Sequence, residues 1–220
     1  LNLPVTKTII DLAVNIRSLD EELLGDVMVA HSSGVKVLLA PPSPQQAEKV
    51  TAEHVRLVLQ TMVNSFDYIF VDTRPSFDDG NLATMDLAET ILLVLQNELT
   101  SLKNARLFLE VVELLGYPRE KVRLVLNRAT APSAVTAAAI GENLRRPVEA
   151  QVPDDAAVVI KSINDGVPLV IGAPESKAAR GIHDLLQLID PEGMTAATAA
   201  APTPAAKAGF GRLLSAVRMR

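Results

Sequence analysis

The chain has 220 residues, 48% of them hydrophobic but only 3% aromatic, and a net charge of −5. That length supports a sizeable core, which must be built from Leu, Val, Ile and Ala. It contains no cysteine, so disulfides and thiolate metal sites are excluded. Its three histidines, His31, His54 and His183, are too scattered in sequence to form a ligand cluster. No run of about 18 apolar residues occurs to span a bilayer, and the N-terminus has no basic stretch followed by an apolar one, as a secretory signal would. Residues 191–220 hold four cations against Glu192, leaving residues 1–190 at −8. An acidic body with a basic tail argues against a nucleic-acid binder.

Short apolar runs alternate with helical patterns in chain order. Strands are expected at 35–39 (VKVLL), 68–71 (YIFV), 91–95 (ILLVL), 122–126 (VRLVL) and, more weakly, 148–152. Helical patterns cover 51–63, 82–88, 102–115, 134–144, 156–164 and 177–189. The clearest is 102–115, whose broad apolar face ends at Gly116, a plausible left-handed stop. Strand–helix alternation predicts an α/β fold: a doubly wound, mostly parallel sheet with helices on both faces. Residues 191–206 are rich in Ala, Thr and Pro and read as a flexible linker. In 207–220, Phe210, Leu213, Leu214 and Val217 fall on one helical face, with Arg212 and Arg218 elsewhere. A basic amphipathic helix of this kind suits a membrane interface; a disordered tail or a helix docking on a partner are the other readings.

Three segments could carry chemistry. FDYIFVDTRPS places Asp72 after four apolar residues, at the carboxyl end of an expected strand, where parallel sheets bind ligands. An Asp there can hold Mg²⁺ and so order a triphosphate, or merely cap a helix. Thr73, Arg74, Pro75 and Ser76 follow as a polar stretch long enough to switch conformation. LVLNR places Asn127 at the end of another strand, where its amide suits a purine edge or a plain turn. In QVPDD, Pro153 stiffens a loop and Asp154 is placed to cap the helix from Ala156.

Taken in order, FDYIFVDTRPSF, LVLNRA, VPDD and SINDGVPLV resemble the MinD/ParA group of deviant Walker A, P-loop ATPases. LDEELL at 19–24, SGVKVLLAPPSPQQAE at 33–48, ELTSLKNAR at 98–106 and LLGYPREKVRLVLNRA at 114–129 look most like the CpaE (TadZ) proteins of Flp/Tad pilus assembly. The resemblance covers residues 1–190 as one ATPase domain, with the linker and the 207–220 helix beyond it. It implies ATP and Mg²⁺ as cofactors. Asp72 would act as catalytic and metal-holding Walker B residue and Thr73–Ser76 as switch II. Asn127, Arg128, Pro153 and Asp154 would lie at the nucleotide base. It further implies a homodimer that positions pilus or secretion machinery, in the cytoplasm and peripherally at the inner face of the cell membrane. Two alternatives stand beside this: a non-catalytic MinD-like scaffold, and a chromosome-partition or division-site ATPase.

Two departures from the pattern bear on activity. The family's D-T-P-P reads D-T-R-P here, with Arg74 in the second slot. No glycine is followed by lysine, so the K-G-G-x-G-K-S/T loop that neutralises the phosphates is absent from these residues. The chain, whose first residue is Leu, is expected to begin just downstream of that loop and of the switch I aspartate, as a fragment of a longer protein or as a degenerate homologue.

Overall fold

The computed structural model describes residues 3–190, and the chain divides after Glu89 into two compact units.

The first unit is mainly helical: α1 (Ile9–Val14), α2 (Glu21–Val27), α3 (Pro44–Ala47), α4 (Ala52–Val63) and α5 (Asp79–Leu87), with a short hairpin of β1 (Val29–Ala30) and β2 (Lys36–Val37). Each helix starts on a side-chain cap, which satisfies backbone N–H groups that would otherwise lack partners. Thr8 caps α1 in a reciprocal box with Asp11, Asp20 caps α2, Ser43 caps α3, Thr51 caps α4 and Asp78 caps α5. Leu12, Leu24, Val27, Val58 and Met62 form the core, with Phe66 and Ile69 packed against it.

Two expected strands differ here. The 35–39 run yields only the two-residue β2, paired antiparallel with β1 across a turn in which Gly34 adopts φ 91°. The 68–71 run forms no strand; residues 67–75 carry neither helix nor strand. A strand exists only with a ladder partner, and among the described residues no strand forms a ladder with this segment. Ile69 still packs inward, while Tyr68, Phe70 and Val71 are exposed.

The second unit holds the parallel sheet. Strands β3 (Ile91–Leu95), β4 (Val122–Asn127) and β5 (Ala150–Val152) lie in that spatial order. Ile91 is in register with Val122, Leu95 with Leu126, and Asn127 with Val152. The strand order follows chain order, with α6 (Leu99–Leu114) connecting β3 to β4 and α7 (Ala137–Leu144) connecting β4 to β5. After β5 come α8 (Ala156–Asp165), α9 (Leu169–Gly172) and α10 (Lys177–Ile189), and α10 packs on β5. Central strand β4 is buried along most of its length, as expected of a strand covered on both faces. Leu95, Leu102, Ala105, Leu124, Leu126, Ile140 and Leu144 form the core around it.

Helix α6 stops as its sequence suggested. Gly116 takes φ 75°, its N–H donates to the Glu113 carbonyl, and that of Tyr117 donates to Val112, the paired bonds of a Schellman end. Helix α7 starts three residues later than its apolar pattern, at Ala137, capped by Thr136, whose hydroxyl accepts the Ala139 N–H. The preceding loop is held instead by Asn97 and Ser133. Together the two units make an α/β fold with parallel and antiparallel strands and flanking helices.

Candidate functional site

In parallel sheets the loops at the carboxyl ends of the strands carry ligands. In the second unit this end gathers several of the expected residues. β4 ends at Asn127, beside Val152 at the end of β5. The next residue, Arg128, is left-handed at φ 55°, a conformation that costs a β-carbon residue energy. The turn is held by the Arg128 N–H, which donates to the Asn127 Oδ1 at 2.9 Å, and by the Ala129 N–H, which donates to the Val152 carbonyl at 2.9 Å.

The reversal brings Arg128 to the loop after β5. Its Nε donates to Asp154 Oδ1 at 2.7 Å. The Asp154 N–H donates to Thr130 Oγ1 at 3.0 Å. Hydrogen bonding and charge from Asp154 raise the pKa of the exposed Arg128 guanidinium and hold it charged. Asp154 therefore does not cap the next helix. The N-cap of α8 is Asp155, which makes no side-chain cap bond there and instead accepts the Lys177 N–H at 3.2 Å. Asn127, Arg128 and Asp154 are thus joined in one network, with Pro153 between Val152 and Asp154.

Two further residues shape this end. Asn97, just past β3, is buried, and its Nδ2 donates to the Ala131 carbonyl at 2.9 Å, while the Ser133 hydroxyl donates to the Asn97 carbonyl. This clasp ties the loop after β4 to the end of β3. In α10, Gly181 lies so close to β5 that a β-carbon there would sit 2.6 Å from Pro153 Cδ and 3.0 Å from the Gln151 oxygen. A general signal existed for Gly181, since a mid-helix glycine often marks close packing. Asn97 looks like any residue between a strand and a helix.

In the first unit, Asp72 and its neighbours Thr73, Arg74, Pro75 and Ser76 are all exposed, within or beside the irregular segment. The order in this stretch comes from the start of α5. Asn81 Nδ2 donates to the Arg74 and Ser76 carbonyls at 3.0 and 2.9 Å, and its N–H donates to Asp78 Oδ1 at 3.0 Å. The Ser76 hydroxyl donates to Asp78 Oδ2 at 2.6 Å, and Arg74 lies 3.8 Å from the same carboxylate. These contacts, the Ser76 hydroxyl first, hold the Asp78 pKa below its ordinary 3.8. The sign follows from linkage. A lowered folded pKa gives stability that is complete above the unfolded value and lost as pH falls through the folded one. Asp78→Ala is expected to cost about 1 kcal/mol near neutral pH. The gap between the two proteins should close as the pH is lowered below about 3.8. Thermal melts over a pH series check both.

The residues meet only part of what ATP and Mg²⁺ would need. Asn127 and the Pro153–Asp154 loop offer amide and carboxylate groups suited to a base. The triphosphate end has no glycine–lysine loop, and among the described residues no group of three His, Asp or Glu side chains is placed to hold a metal. Mg²⁺ in such sites shares its coordination with the phosphates, so Asp72 alone does not fit the task. The linker at 191–206 and the tail residues Phe210, Arg212, Leu213, Leu214, Val217 and Arg218 lie outside the described residues. Among the described residues, no helix is long and apolar enough to cross a membrane.

No protein-family model matches the chain. It is 24% identical over 175 residues to the septum site-determining protein MinD of Thermotoga maritima, covering 77% of this chain and 64% of that one. It is 26% identical over 161 residues to an uncharacterised ATP-binding protein of Methanocaldococcus jannaschii, covering 73% and 60%. The chain thus spans less than two thirds of the length of these relatives. Among solved structures, a ParA family ATPase from Chlorobium tepidum superposes with a TM-score of 0.79 at 22% identity, covering 84% of this chain and 77% of that one. MinD from Pyrococcus horikoshii, solved with Mg-ADP, gives 0.65 at 20% identity, covering 84% and 80%. A MinC:MinD cell division complex from Aquifex aeolicus gives 0.70 at 18%, covering 95% and 79%. The solved structures carry the fold and the sequence relatives carry the ancestry: the chain is homologous to the MinD/ParA family of P-loop ATPases.

Proposed function

We propose that these residues form the body of a localisation- or partition-type protein of the MinD/ParA kind, acting as a scaffold that binds partners without turning over ATP by itself. The observation that supports this reading is a contrast within the chain. Asn127, Arg128, Pro153 and Asp154 make an ordered base-side loop, whereas no glycine–lysine string is present to cradle phosphates. Oriented backbone N–H groups and a lysine supply most of the charge stabilisation in phosphoryl transfer, so a base-side loop alone does not catalyse it.

On this reading, Asp72 and the segment Thr73–Arg74–Pro75–Ser76 are the Walker B and switch remnants of a site that needs a phosphate loop to bind ATP and Mg²⁺. The expected partners are a second copy and a protein positioned by it; the similar Aquifex structure is a complex of MinD with a second protein, MinC. The motifs at 19–24, 33–48 and 98–106 favour Flp/Tad pilus assembly machinery as the thing positioned. The tail at 207–220 would contact the inner face of the membrane peripherally, dimerisation multiplying the weak affinity of a single short helix.

The reading is tested by phosphate release. The 220-residue chain with Mg-ATP is expected to release no phosphate above the protein-free background. Turnover that disappears in Asp72→Ala would refute the scaffold reading and restore the enzyme.

A further inference from the structure

A basic cluster forms at the opposite end of the sheet from Asn127. It gathers Arg119 and Arg123 around the start of β4, Arg106 on α6, and Arg145 and Arg146 just after α7. An Arg146 Nη2 donates to the Val122 carbonyl at 2.6 Å and also to the Arg119 carbonyl. Arg119 in turn donates to the Arg145 carbonyl. Arg106 donates to the carbonyl and side-chain oxygens of Asn143. Arg123 has a carboxylate partner, Glu149 at 3.1 Å, and the other oxygen of Glu149 accepts the Leu124 N–H at 3.1 Å. Among the described residues, no carboxylate pairs with Arg106, Arg119, Arg145 or Arg146. Burial and the neighbouring Arg119 and Arg123 lower the Arg146 pKa, as crowding of like charge requires.

Two further features make this more than a solvated face. Arg145 sits at φ 52°, where glycine is the usual residue, and only Arg128 shares that conformation among the described non-glycine residues. This left-handed turn ends α7 and sets Arg145 and Arg146 next to one another at this edge. Beside it lies an open depression of about 490 Å³ lined by Ala138, Gly141, Glu142, Arg145, Arg146 and Pro147.

We infer that this edge is a docking site for a carboxylate-rich segment of a partner protein. Arginine forks match carboxylates in geometry as well as charge. The Ala138, Gly141 and Pro147 surface offers apolar contact between the carboxylates of a peptide. The net charge of −5 opposes approach to the extended anionic field of a duplex or bilayer, whereas a short peptide needs only the local arginine forks. The site lies at the amino end of β4 and β5, opposite the turn at Asn127.

The test uses the whole chain and a short fluorescein-labelled peptide of alternating Glu and Leu, followed by anisotropy. Saturable binding is expected, weakened about tenfold by the double variant R106E/R145E and unchanged by the control K161E/R180E. Raising salt from about 0.05 to about 0.5 M should weaken it as the Debye length contracts. R106Q/R145G, which places glycine at the left-handed position and so protects the fold, should also weaken binding. The inference is overturned by an absence of saturable binding or by equal loss in the control. It is equally overturned if anionic vesicles or duplex DNA bind at this edge in preference to the peptide.

Discussion

Leu124→Ala is expected to destabilise the second unit by about 2–5 kcal/mol, lowering the melting temperature by roughly 10 °C. Leu124 is fully buried in the central strand, within the cluster of Leu95, Leu126, Ile140 and Leu144. Removing its branched end loses transfer free energy and leaves a cavity that close-packed strands and helices fill poorly. Its main-chain N–H and carbonyl are both engaged by Glu149, through the side chain at 3.1 Å and the backbone N–H at 2.9 Å. The backbone is thus held in place and has little freedom to collapse into the gap. Denaturant unfolding followed by circular dichroism measures the loss; a change below about 1 kcal/mol would mean that the packing around β4 is loose enough to collapse into the gap.

Gly181→Ala should be destabilising despite adding a better helix former. In an open helix the change would gain about 1 kcal/mol. Here the new methyl would lie 2.6 Å from Pro153 Cδ and 3.0 Å from the Val152 Cα. Either α10 must move off β5 or the Pro153 loop must shift. Overpacking of this kind costs about 1–3 kcal/mol, so the net effect is a loss of up to about 2 kcal/mol. The contact also places Gly181 behind the base-side loop. Backbone amide shifts at Val152 and Asp154 should therefore exceed those on the far side of α10, as read by NMR. An unchanged or raised melting temperature with a still loop would contradict the packing.

The parts of the fold set by local pattern were legible in the sequence. β3 at Ile91–Leu95 and α10 at Lys177–Ile189 have the expected bounds, because an unbroken apolar run and a strong helical period each determine their own element. Segment 68–71 has an equally good apolar run, yet forms no strand, because a strand also needs a neighbour that the run itself does not specify. Asp154 looked like a helix cap, since Asp before a helix commonly is one. Its actual partner is set by the left-handed turn at Arg128, 26 residues earlier. Asn97 and the Arg119–Arg146 contacts were not legible, because they bond to main-chain carbonyls, which carry no residue identity. The place of Asn127 at the end of β4, by contrast, follows from the apolar run before it.

In the proposed reading these residues would hold the base side of a nucleotide site and lack its phosphate side. Calorimetric titration of Mg-ATP and Mg-ADP into the 220-residue chain tests this most directly. No saturable heat is expected for either nucleotide at concentrations up to about 1 mM, a binding free energy weaker than about −4 kcal/mol. Saturable binding of Mg-ATP in the micromolar range, abolished by Asp72→Ala, would contradict it.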